Sequence, residues 1–363
     1  MQTDWTKLQS QTIDWLRFPM AVMVVVLHYS KTLILHAEGA QKVLCLLFQE
    51  GLCRLAVPCF FFISGYLFFN KLETWNWAIW KGKIKKRGKT LLLPYILWNI
   101  IALIAFWIYE NVHGGSVSLP QIFTQNGGIR MFWSVQGGIP ISSQAYPIDG
   151  PLWFIRDLMY FIIITPCIHL FLRWTRHYGL IALTLLYLIT NRVVPEGFLF
   201  FMYGSYLKIS EKNIVEVLWA KRHILYYTTL VLLAVLFFEQ LYFNLEFGKK
   251  IIKFFFIFCG IASSFCGTAW LLKTEHTHVI PFLAGSSFFI FAAHEVLILQ
   301  KIAAPIVLAI LPAGQGWDCL AFFIVPALAI CICLGLLLLL ERVFPKTACL
   351  LTGNRRSVVK VIG

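Results

Sequence analysis

The feature that most constrains this chain is a series of apolar runs, each about 20 residues long, that recurs from one end to the other. A helical run of that length crosses the hydrocarbon core of a bilayer. Of the 363 residues, 59% are hydrophobic and 13% are charged, whereas soluble domains carry roughly 25% charged residues. These values exclude a soluble enzyme, a disulfide scaffold and a disordered chain. They predict an all-α, polytopic transmembrane helical bundle.

The runs predict about ten transmembrane helices. Their predicted bounds are 12–35, 43–70, 90–110, 151–172, 178–191, 196–209, 222–243, 250–272, 279–300 and 318–344. An even number of spans places both termini on one side of the membrane. Twenty Lys and Arg residues fall on the side of the termini and seven on the other side. The positive-inside rule therefore predicts a multi-pass protein of the cell (inner) membrane with both termini in the cytoplasm.

The predicted organisation is one transmembrane domain over 1–350 and a cytoplasmic tail over 351–363. Two connections are long. The inner one, 71–89, is basic and aromatic, which also suits an interfacial anchor. The outer one, 111–150, is rich in Gly, Ser and Pro, and a long connection of this kind favours a lid or a substrate platform. The excess of basic residues is explained by topology, so no nucleic acid partner is expected.

Ionisable residues within the spans are the candidates for function, because a charge in the bilayer is expensive. The first span carries Asp14, Arg17 and His28. Arg17 and His28 are eleven residues apart, which is three helical turns and about 16 Å of rise on one face. His294 in the ninth span is predicted to lie at nearly the same depth as His28. No CxxC pair occurs among the cysteines, and no metal site is predicted.

The predicted site has two parts at different depths. The outer part contains imidazoles, which suit proton transfer near neutral pH. The inner part is cationic and suits phosphates. The outer residues are His28, His294, Glu295, Arg54, Arg156 and Asp157, and Trp153 is the predicted surface for a sugar. The inner residues are Arg17, Ser64, Lys86, Arg87 and Lys89.

Five segments together resemble the acyltransferase-3 family of integral membrane acyltransferases. They are Arg17-x10-His28 in the first span and the segments 57–66, 86–95, 150–158 and 287–294. Their order and the ten-span layout are similar to that family over nearly the whole chain. The family often has two arginines three residues apart where this chain has Lys86, Arg87 and Lys89.

The resemblance implies transfer of an acyl group, most commonly acetyl, from cytoplasmic acyl-CoA to a hydroxyl of a glycan or a lipid-linked saccharide. Acetyl-CoA would be a co-substrate, and no tightly bound cofactor is expected. Arg17 and the basic residues Lys86, Arg87 and Lys89 would hold the CoA phosphates, with Ser64 nearby. The acceptor would contact Arg54, Trp153 and Glu295.

The expected mechanism is direct transfer, in which His28 is the general base for the acceptor hydroxyl. Arg156 or protonated His294 would stabilise the oxyanion, and Asp157 or Glu295 would orient an imidazole. A covalent acyl-histidine relay at His28 is the competing mechanism. A transporter or flippase for a glycan or a small anionic solute is the alternative function. Intramembrane charges suit it equally, but the internal repeat typical of many transporters is not evident.

Overall fold

The computed structural model describes residues 4–70, 75–125, 127–135, 145–190, 193–242, 246–314 and 316–354. Within these ranges the chain is helical and has no β-strand. Seven helical segments are long and apolar enough to cross a membrane, and the broken pair Gly150–Ile163 and Thr165–Ile189 would make an eighth. The prediction of an all-α, polytopic membrane protein is confirmed.

Apolar spans and helix-breaking connections divide the chain into a series of α-helices. Their bounds over the described residues are α1 (Trp5–Leu33), α2 (Gly39–Leu46), α3 (Ala56–Phe68), α4 (Trp77–Arg87), α5 (Leu93–Val112), α6 (Leu119–Gln125), α7 (Trp153–Ile163), α8 (Thr165–Ile189), α9 (Glu196–Ile209), α10 (Ile214–Trp219), α11 (Arg222–Tyr242), α12 (Glu246–Lys273), α13 (Pro281–Ala293), α14 (Ala304–Ile310), α15 (Asp318–Val343) and α16 (Pro345–Leu351). Short π-helical or 3₁₀ turns join α2 to α3, α4 to α5 and α13 to α14.

The predicted count of ten spans is not confirmed. The predicted sixth span coincides with α9, which has 14 residues, fewer than the roughly 20 that cross a bilayer at helical rise. The predicted fourth and fifth spans, 151–172 and 178–191, correspond to α7 and α8. Those helices divide at Ile164, and α8 bends again at Arg176, where φ is 52°. The side of the membrane on which the termini lie stays a prediction.

The chain forms two compact units. The first unit is Met1–Trp77 with Ile164–Ala284, and the second unit is Ala78–Ile163 with Gly285–Gly363. Helices α1 to α3 and α8 to α12 belong to the first unit. The second unit holds α5 to α7 and α14 to α16, together with nearly all of α4 and most of α13.

In the first unit, two glycines let α3 and α9 approach closely. A Cβ atom added at Gly65 would lie 2.2 Å from the carbonyl oxygen of Phe201, and one added at Gly204 would lie 2.0 Å from the carbonyl oxygen of Phe62. Both obstructing atoms are backbone atoms, so a larger residue cannot be accommodated by a side-chain rotation. Small residues at helix contacts are the usual means of close packing in a membrane.

In the second unit, the predicted outer connection 111–150 is partly folded. It contains α6 and a 3₁₀ turn, Gly128–Phe132. Ile122 and Met131 form a small apolar core with Leu103 of α5. The Trp107 indole also donates a 2.9 Å hydrogen bond to the carbonyl of Val117. The connection is therefore packed on α5 over its described residues, while residues 126 and 136–144 lie outside the description.

The predicted basic connection 71–89 is helical from Trp77 onward. Helix α4 begins at Trp77, continues through a π-helical turn at Gly88–Leu92 and joins α5. Lys and Arg are good helix formers, and the first proline after Trp77 is Pro94. Clustered charge marks the end of an apolar run, but it does not break a helix.

Candidate active site

Arg17 lies at the wall of a polar cavity in the first unit. The cavity has a volume of about 320 Å³ and is enclosed by α1, by the end of α3 and by the segment that follows α9. Arg17 forms a salt bridge of 2.8 Å with Asp14, one turn earlier on α1. The other polar residues that line the cavity are Thr6, Gln9, Ser10, Tyr66, Asn70, Lys208, Glu211 and Asn213. The predicted inner residue Ser64 is not among the described lining residues.

A hydrogen-bond network fixes the wall of this cavity. The Gln9 side chain donates a 3.0 Å hydrogen bond to the Tyr66 hydroxyl, which donates to the carbonyl of Lys212 at 3.1 Å. The amide carbonyl of Gln9 accepts from the backbone N–H of Ile214. Lys208 places its ammonium 5.6 Å from the centre of the Tyr66 ring. The cavity is therefore a preorganised polar chamber with a cation on each of two helices, α1 and α9.

His28 lies on the same helix as Arg17, as the sequence predicts. Eleven residues of α1 separate them, which corresponds to about 16 Å of helical rise. Pro19 lies between the two residues and removes one backbone hydrogen bond from the helix. The His28 side chain is partly buried. Helix α1 thus connects a polar cavity at one depth to an imidazole at another.

The second unit buries the predicted pair Arg156 and Asp157 at the start of α7. The exposed fractions are 0% for Arg156 and 2% for Asp157. Nε and Nη2 of Arg156 donate to Oδ1 of Asp157 at 3.0 and 2.8 Å. Nη1 donates to the carbonyls of Trp133 and Ala145 at 2.8 and 2.5 Å. Arg156 therefore links α7 to the two stretches of the outer connection that lie before and after residues 136–144.

Aromatic contacts strengthen this anchor. The Trp133 ring packs edge-on against Tyr95 at 5.6 Å and against Tyr160 at 5.7 Å between ring centres. The Tyr95 hydroxyl donates to the carbonyl of Phe132, and the Trp133 indole donates to the Tyr160 hydroxyl. The predicted acceptor residue Trp153 lies partly buried at the first position of α7. Sequence reasoning did not single out Tyr95 or Tyr160 as site residues.

His294 lies at the point where regular helix ends. Helix α13 stops at Ala293, and the π-helical segment that follows has non-helical backbone at Val296 and Leu297. His294 is fully buried, and its Nδ1 lies 3.0 Å from the carbonyl oxygen of Ile290. A carbonyl only accepts, so Nδ1 carries a proton, and in the neutral imidazole Nε2 is the basic nitrogen. Interruptions of this kind are frequent at functional sites.

Asp149 is a buried carboxyl that was not among the predicted site residues. It is 2% exposed, and neither carboxyl oxygen has a hydrogen-bond partner among the described residues. Its backbone N–H donates to Oδ1 of Asn99 at 3.2 Å. Burial raises the pKa of Asp149 well above its usual value, and the negative charge of Glu295 raises it further. The one sequence signal was its position, directly before Gly150 in a motif of the resemblance.

Glu295 is a neighbour of this carboxyl. A Cβ atom added at Gly150 would lie 3.1 Å from Oε2 of Glu295. Any larger residue at position 150 would therefore require the Glu295 carboxylate to shift. The second unit therefore brings together Asp149 and Glu295, and it buries Arg156 and Asp157 as a separate pair.

The remaining predicted residues divide between the units. Lys86 and Lys89 are exposed and Arg87 is partly buried at the junction of α4 and α5, in the second unit. Arg54 lies in the first unit, where its guanidinium forms a salt bridge of 2.8 Å with Glu50.

Comparison with known proteins identifies the class. Residues 10–340 match a family model described as an acyltransferase domain. The match covers most of the chain, so the protein belongs to this family of acyltransferases, and it is a multi-pass membrane protein. The chain is 27% identical over 323 residues to the succinoglycan biosynthesis protein ExoH of Rhizobium meliloti strain 1021, covering 86% of this chain and 82% of that protein. No solved structure matches the chain.

Proposed function

We propose that this protein is an integral membrane O-acyltransferase that transfers an acyl group, most commonly acetyl, from cytoplasmic acyl-CoA to a hydroxyl of a glycan or lipid-linked saccharide. The observation that carries the proposal is the arrangement of α1, with Arg17 on a polar cavity and His28 three turns further along the helix. Membership of the family supports acyl transfer. The name of the related succinoglycan biosynthesis protein supports a polysaccharide acceptor.

In the proposed donor site, the cavity holds the phosphate end of acyl-CoA. Arg17 supplies a guanidinium fork for phosphate oxygens, and Lys208 adds a second cation. The separation of about 16 Å along α1 suits an extended pantetheine arm, whose thioester would then reach His28. Lys86, Arg87 and Lys89 stay proposed as further cations for the donor.

In the proposed reaction, His28 accepts the proton of the acceptor hydroxyl as the oxygen attacks the thioester carbonyl. The tetrahedral oxyanion then collapses, the carbon–sulfur bond breaks, and the imidazolium returns the proton to the departing CoA thiolate. The products are an ester and free CoA. His294, whose Nε2 is basic, is the alternative base.

We propose a role for Arg156 other than stabilisation of the oxyanion. Two of its hydrogen bonds go to Asp157, and two go to the carbonyls of Trp133 and Ala145 in the outer connection. We therefore propose that it positions this connection and that the oxyanion is stabilised by another donor. Protonated His294 is the remaining candidate from the sequence.

The test of the proposal is an acyl-transfer assay with the purified full-length protein in lipid vesicles. Acetyl-CoA and a de-esterified surface glycan are supplied, and CoA release and glycan ester formation are measured. His28→Ala should lower the rate by about 10²–10⁴-fold, the usual contribution of a general base, and should leave acyl-CoA affinity unchanged. Exposed His113 gives the matched control, His113→Ala. A fully active His28→Ala protein would overturn the proposal for His28.

A second measurement separates the two mechanisms. The wild-type protein is incubated with radiolabelled acetyl-CoA without acceptor. Label that stays on the protein, and is lost in His28→Ala, indicates an acyl-histidine relay. Ester formation only when both substrates are present, without labelled protein, indicates direct transfer.

The donor site has its own test. Arg17→Ala should weaken acyl-CoA binding by about 10- to 100-fold, because a charge-assisted hydrogen bond contributes about 1.5–3 kcal/mol. Arg17→Lys should restore part of the affinity, since an ammonium lacks the planar fork. Isothermal titration with Lys7→Ala, an exposed cation on the same helix, provides the control. Unchanged affinity in Arg17→Ala would remove the cavity from the donor site.

A further inference from the structure

A second group of charges lies in the first unit, away from the Arg17 cavity. We call it the Arg54 cluster, and it consists of Glu50, Arg54, Glu196, Lys249 and Lys253. Glu50 and Arg54 lie on the π-helical and 3₁₀ turns between α2 and α3, Glu196 begins α9, and the two lysines lie in the first two turns of α12. The charges of the other four residues all act on Lys253.

Two donors in this cluster are unused. Nε of Arg54 is buried and has no hydrogen-bond partner among the described residues. The Lys253 side chain is partly buried, yet within the described part of the chain its ammonium forms no ion pair within 4.0 Å. The only carboxylate paired with Arg54 there is Glu50, at 2.8 Å. Leu55, the residue after Arg54, packs against Gly260 of α12, where an added Cβ atom would lie 2.6 Å from its Cδ2 atom. Gly260 lies two turns after Lys253, so the two unused donors stand on neighbouring segments, and the charge of Arg54 acts on Lys253.

The balance of charge points to an anion. Arg54, Lys249 and Lys253 are three basic side chains, and Glu50 and Glu196 are two acidic ones, so basic side chains outnumber acidic ones in the cluster. Both helical segments that carry the cations are apolar enough to span a membrane. A charge without a partner is expensive in that setting and marks a functional site. Guanidinium and ammonium groups together are the usual ligands of carboxylate and phosphate oxygens.

Helix α9 fixes where this cluster lies relative to the proposed donor cavity. Glu196 is the first residue of α9, and Lys208, near the end of α9, lines the cavity. Twelve residues separate them, which is about 18 Å at helical rise. The two polar sites therefore lie near opposite ends of one helix. If acyl-CoA enters at the Arg17 cavity, the Arg54 cluster lies at the far end, where the acceptor would approach.

The surroundings of the cluster are held in place. The Tyr187 hydroxyl donates a 2.9 Å hydrogen bond to Oε2 of Glu196. The Lys250 ammonium lies 4.6 Å from the centre of the Tyr187 ring and donates to the carbonyl of Thr190 at 2.6 Å. These contacts join the end of α8 to the starts of α9 and α12, so they hold in place the helix that carries Lys253.

We propose that Arg54 and Lys253 bind an oxyanion, a carboxylate or a phosphate, carried by the acceptor. This inference rests on the proposed function and deepens it, because it names an acidic saccharide or a saccharide phosphate as the acceptor class. The guanidinium Nε and the Lys253 ammonium both donate to the oxyanion, while Glu50 holds Nη2 of Arg54 in place. No bond is made or broken at this site.

The test uses thermal melting of the purified full-length protein in detergent. The three probes are glucose, glucuronate and glucose 1-phosphate, which have the same kind of pyranose ring and differ in charge. Glucuronate or glucose 1-phosphate should raise the Tm in a concentration-dependent manner, whereas glucose should not. The stronger of the two charged probes distinguishes a carboxylate from a phosphate ligand. Equal behaviour of all three probes on the wild-type protein would overturn the inference.

Two variants separate a ligand site from a purely structural ion network. Lys253→Met removes an ammonium without a partner and keeps the side-chain length, so the Tm without ligand should stay equal or rise. The apparent affinity for the charged probe should fall by at least about tenfold, as expected for one charge-assisted hydrogen bond. Arg54→Lys keeps the charge near Glu50 and should also weaken probe binding. A lower Tm with an unchanged probe response in Lys253→Met would show a structural role and overturn the inference.

Controls keep this result distinct from failure of the proposed function. Lys42→Gln changes an exposed cation in the same membrane-spanning segment as Arg54 and should respond to the probes as the wild type does. Acyl-CoA affinity, measured in parallel, should be unchanged in Lys253→Met. If the protein binds charged sugars but not acyl-CoA, the anion site is supported and the proposed donor is wrong. If it binds acyl-CoA but does not discriminate the probes, the proposed donor is supported and the anion site is wrong.

Discussion

Arg156 and Asp157 are neighbours in the sequence, and they form a fully buried salt bridge with an N–O distance of 2.8 Å. The same guanidinium donates to the carbonyls of Trp133 and Ala145. These two residues flank the part of the outer connection that lies outside the described ranges. The pair therefore acts as an attachment point, because it links α7 to a segment that is distant in sequence.

The first prediction is that Asp157→Ala strongly destabilises the protein. Removal of one partner leaves a buried guanidinium without a counter-charge, which costs about 3–5 kcal/mol in comparable pairs. The loss of stability would be measured as the change in the free energy of unfolding in mixed micelles. Asp318→Ala, at the more exposed start of α15, is the control. An equal, small effect of both substitutions would show that the pair does not stabilise the fold.

The second prediction concerns the contact of α3 with α9. Gly65→Ala should destabilise the first unit by about 1–3 kcal/mol, because the new methyl group meets the backbone carbonyl of Phe201. Gly82→Ala is a matched control on α4, where a Cβ atom would meet nothing within 4 Å. That substitution should be neutral or stabilising by up to about 1 kcal/mol, since alanine favours a helix. A stable Gly65→Ala protein would contradict the close approach.

The fold was predictable from the sequence wherever a single physical signal decided it. Apolar length alone located α1, α11, α12 and α15 to within several residues. The span count is not confirmed where two signals compete, as in α9, which is apolar but has 14 residues. The sequence prediction placed a basic connection at 71–89 without giving it a secondary structure, and the segment from Trp77 onward is helical.

The site was predictable to a smaller degree. The spacing of Arg17 and His28 was correct because both lie on one helix, and helical rise is fixed. The Arg156–Asp157 pair was found because charge within a span is rare. Asp149 was not found, since burial of a loop carboxyl depends on how the chain returns to Asn99, fifty residues earlier. Lys253 was not among the predicted site residues, because its interaction with Arg54 is a tertiary relationship.

The third prediction concerns orientation in the membrane. A reporter fused after Gly363 should be cytoplasmic, and one inserted near Gly127 should be extracytoplasmic, because of the bias in basic residues. Paired phosphatase and fluorescent-protein fusions, which are active on opposite sides of the membrane, would measure both positions. The reverse result at either position would place the Arg17 cavity on the wrong side for cytoplasmic acyl-CoA.

The last prediction is a pH dependence that arises from Asp149. Burial, and then the charge of Glu295, raise the pKa of this carboxyl well above its usual value of 3.8. A carboxyl with a raised pKa in the folded state stabilises the fold below the unfolded pKa, and that stabilisation is lost as the pH rises through the folded pKa. Asp149→Asn cannot ionise, so its stability relative to the wild type should increase as the pH rises from about 4 to about 9. Thermal melting over this range would measure it, with Glu38→Gln, an exposed carboxyl, as the control. Parallel curves for Asp149→Asn and the wild type would mean that Asp149 does not titrate differently in the folded protein.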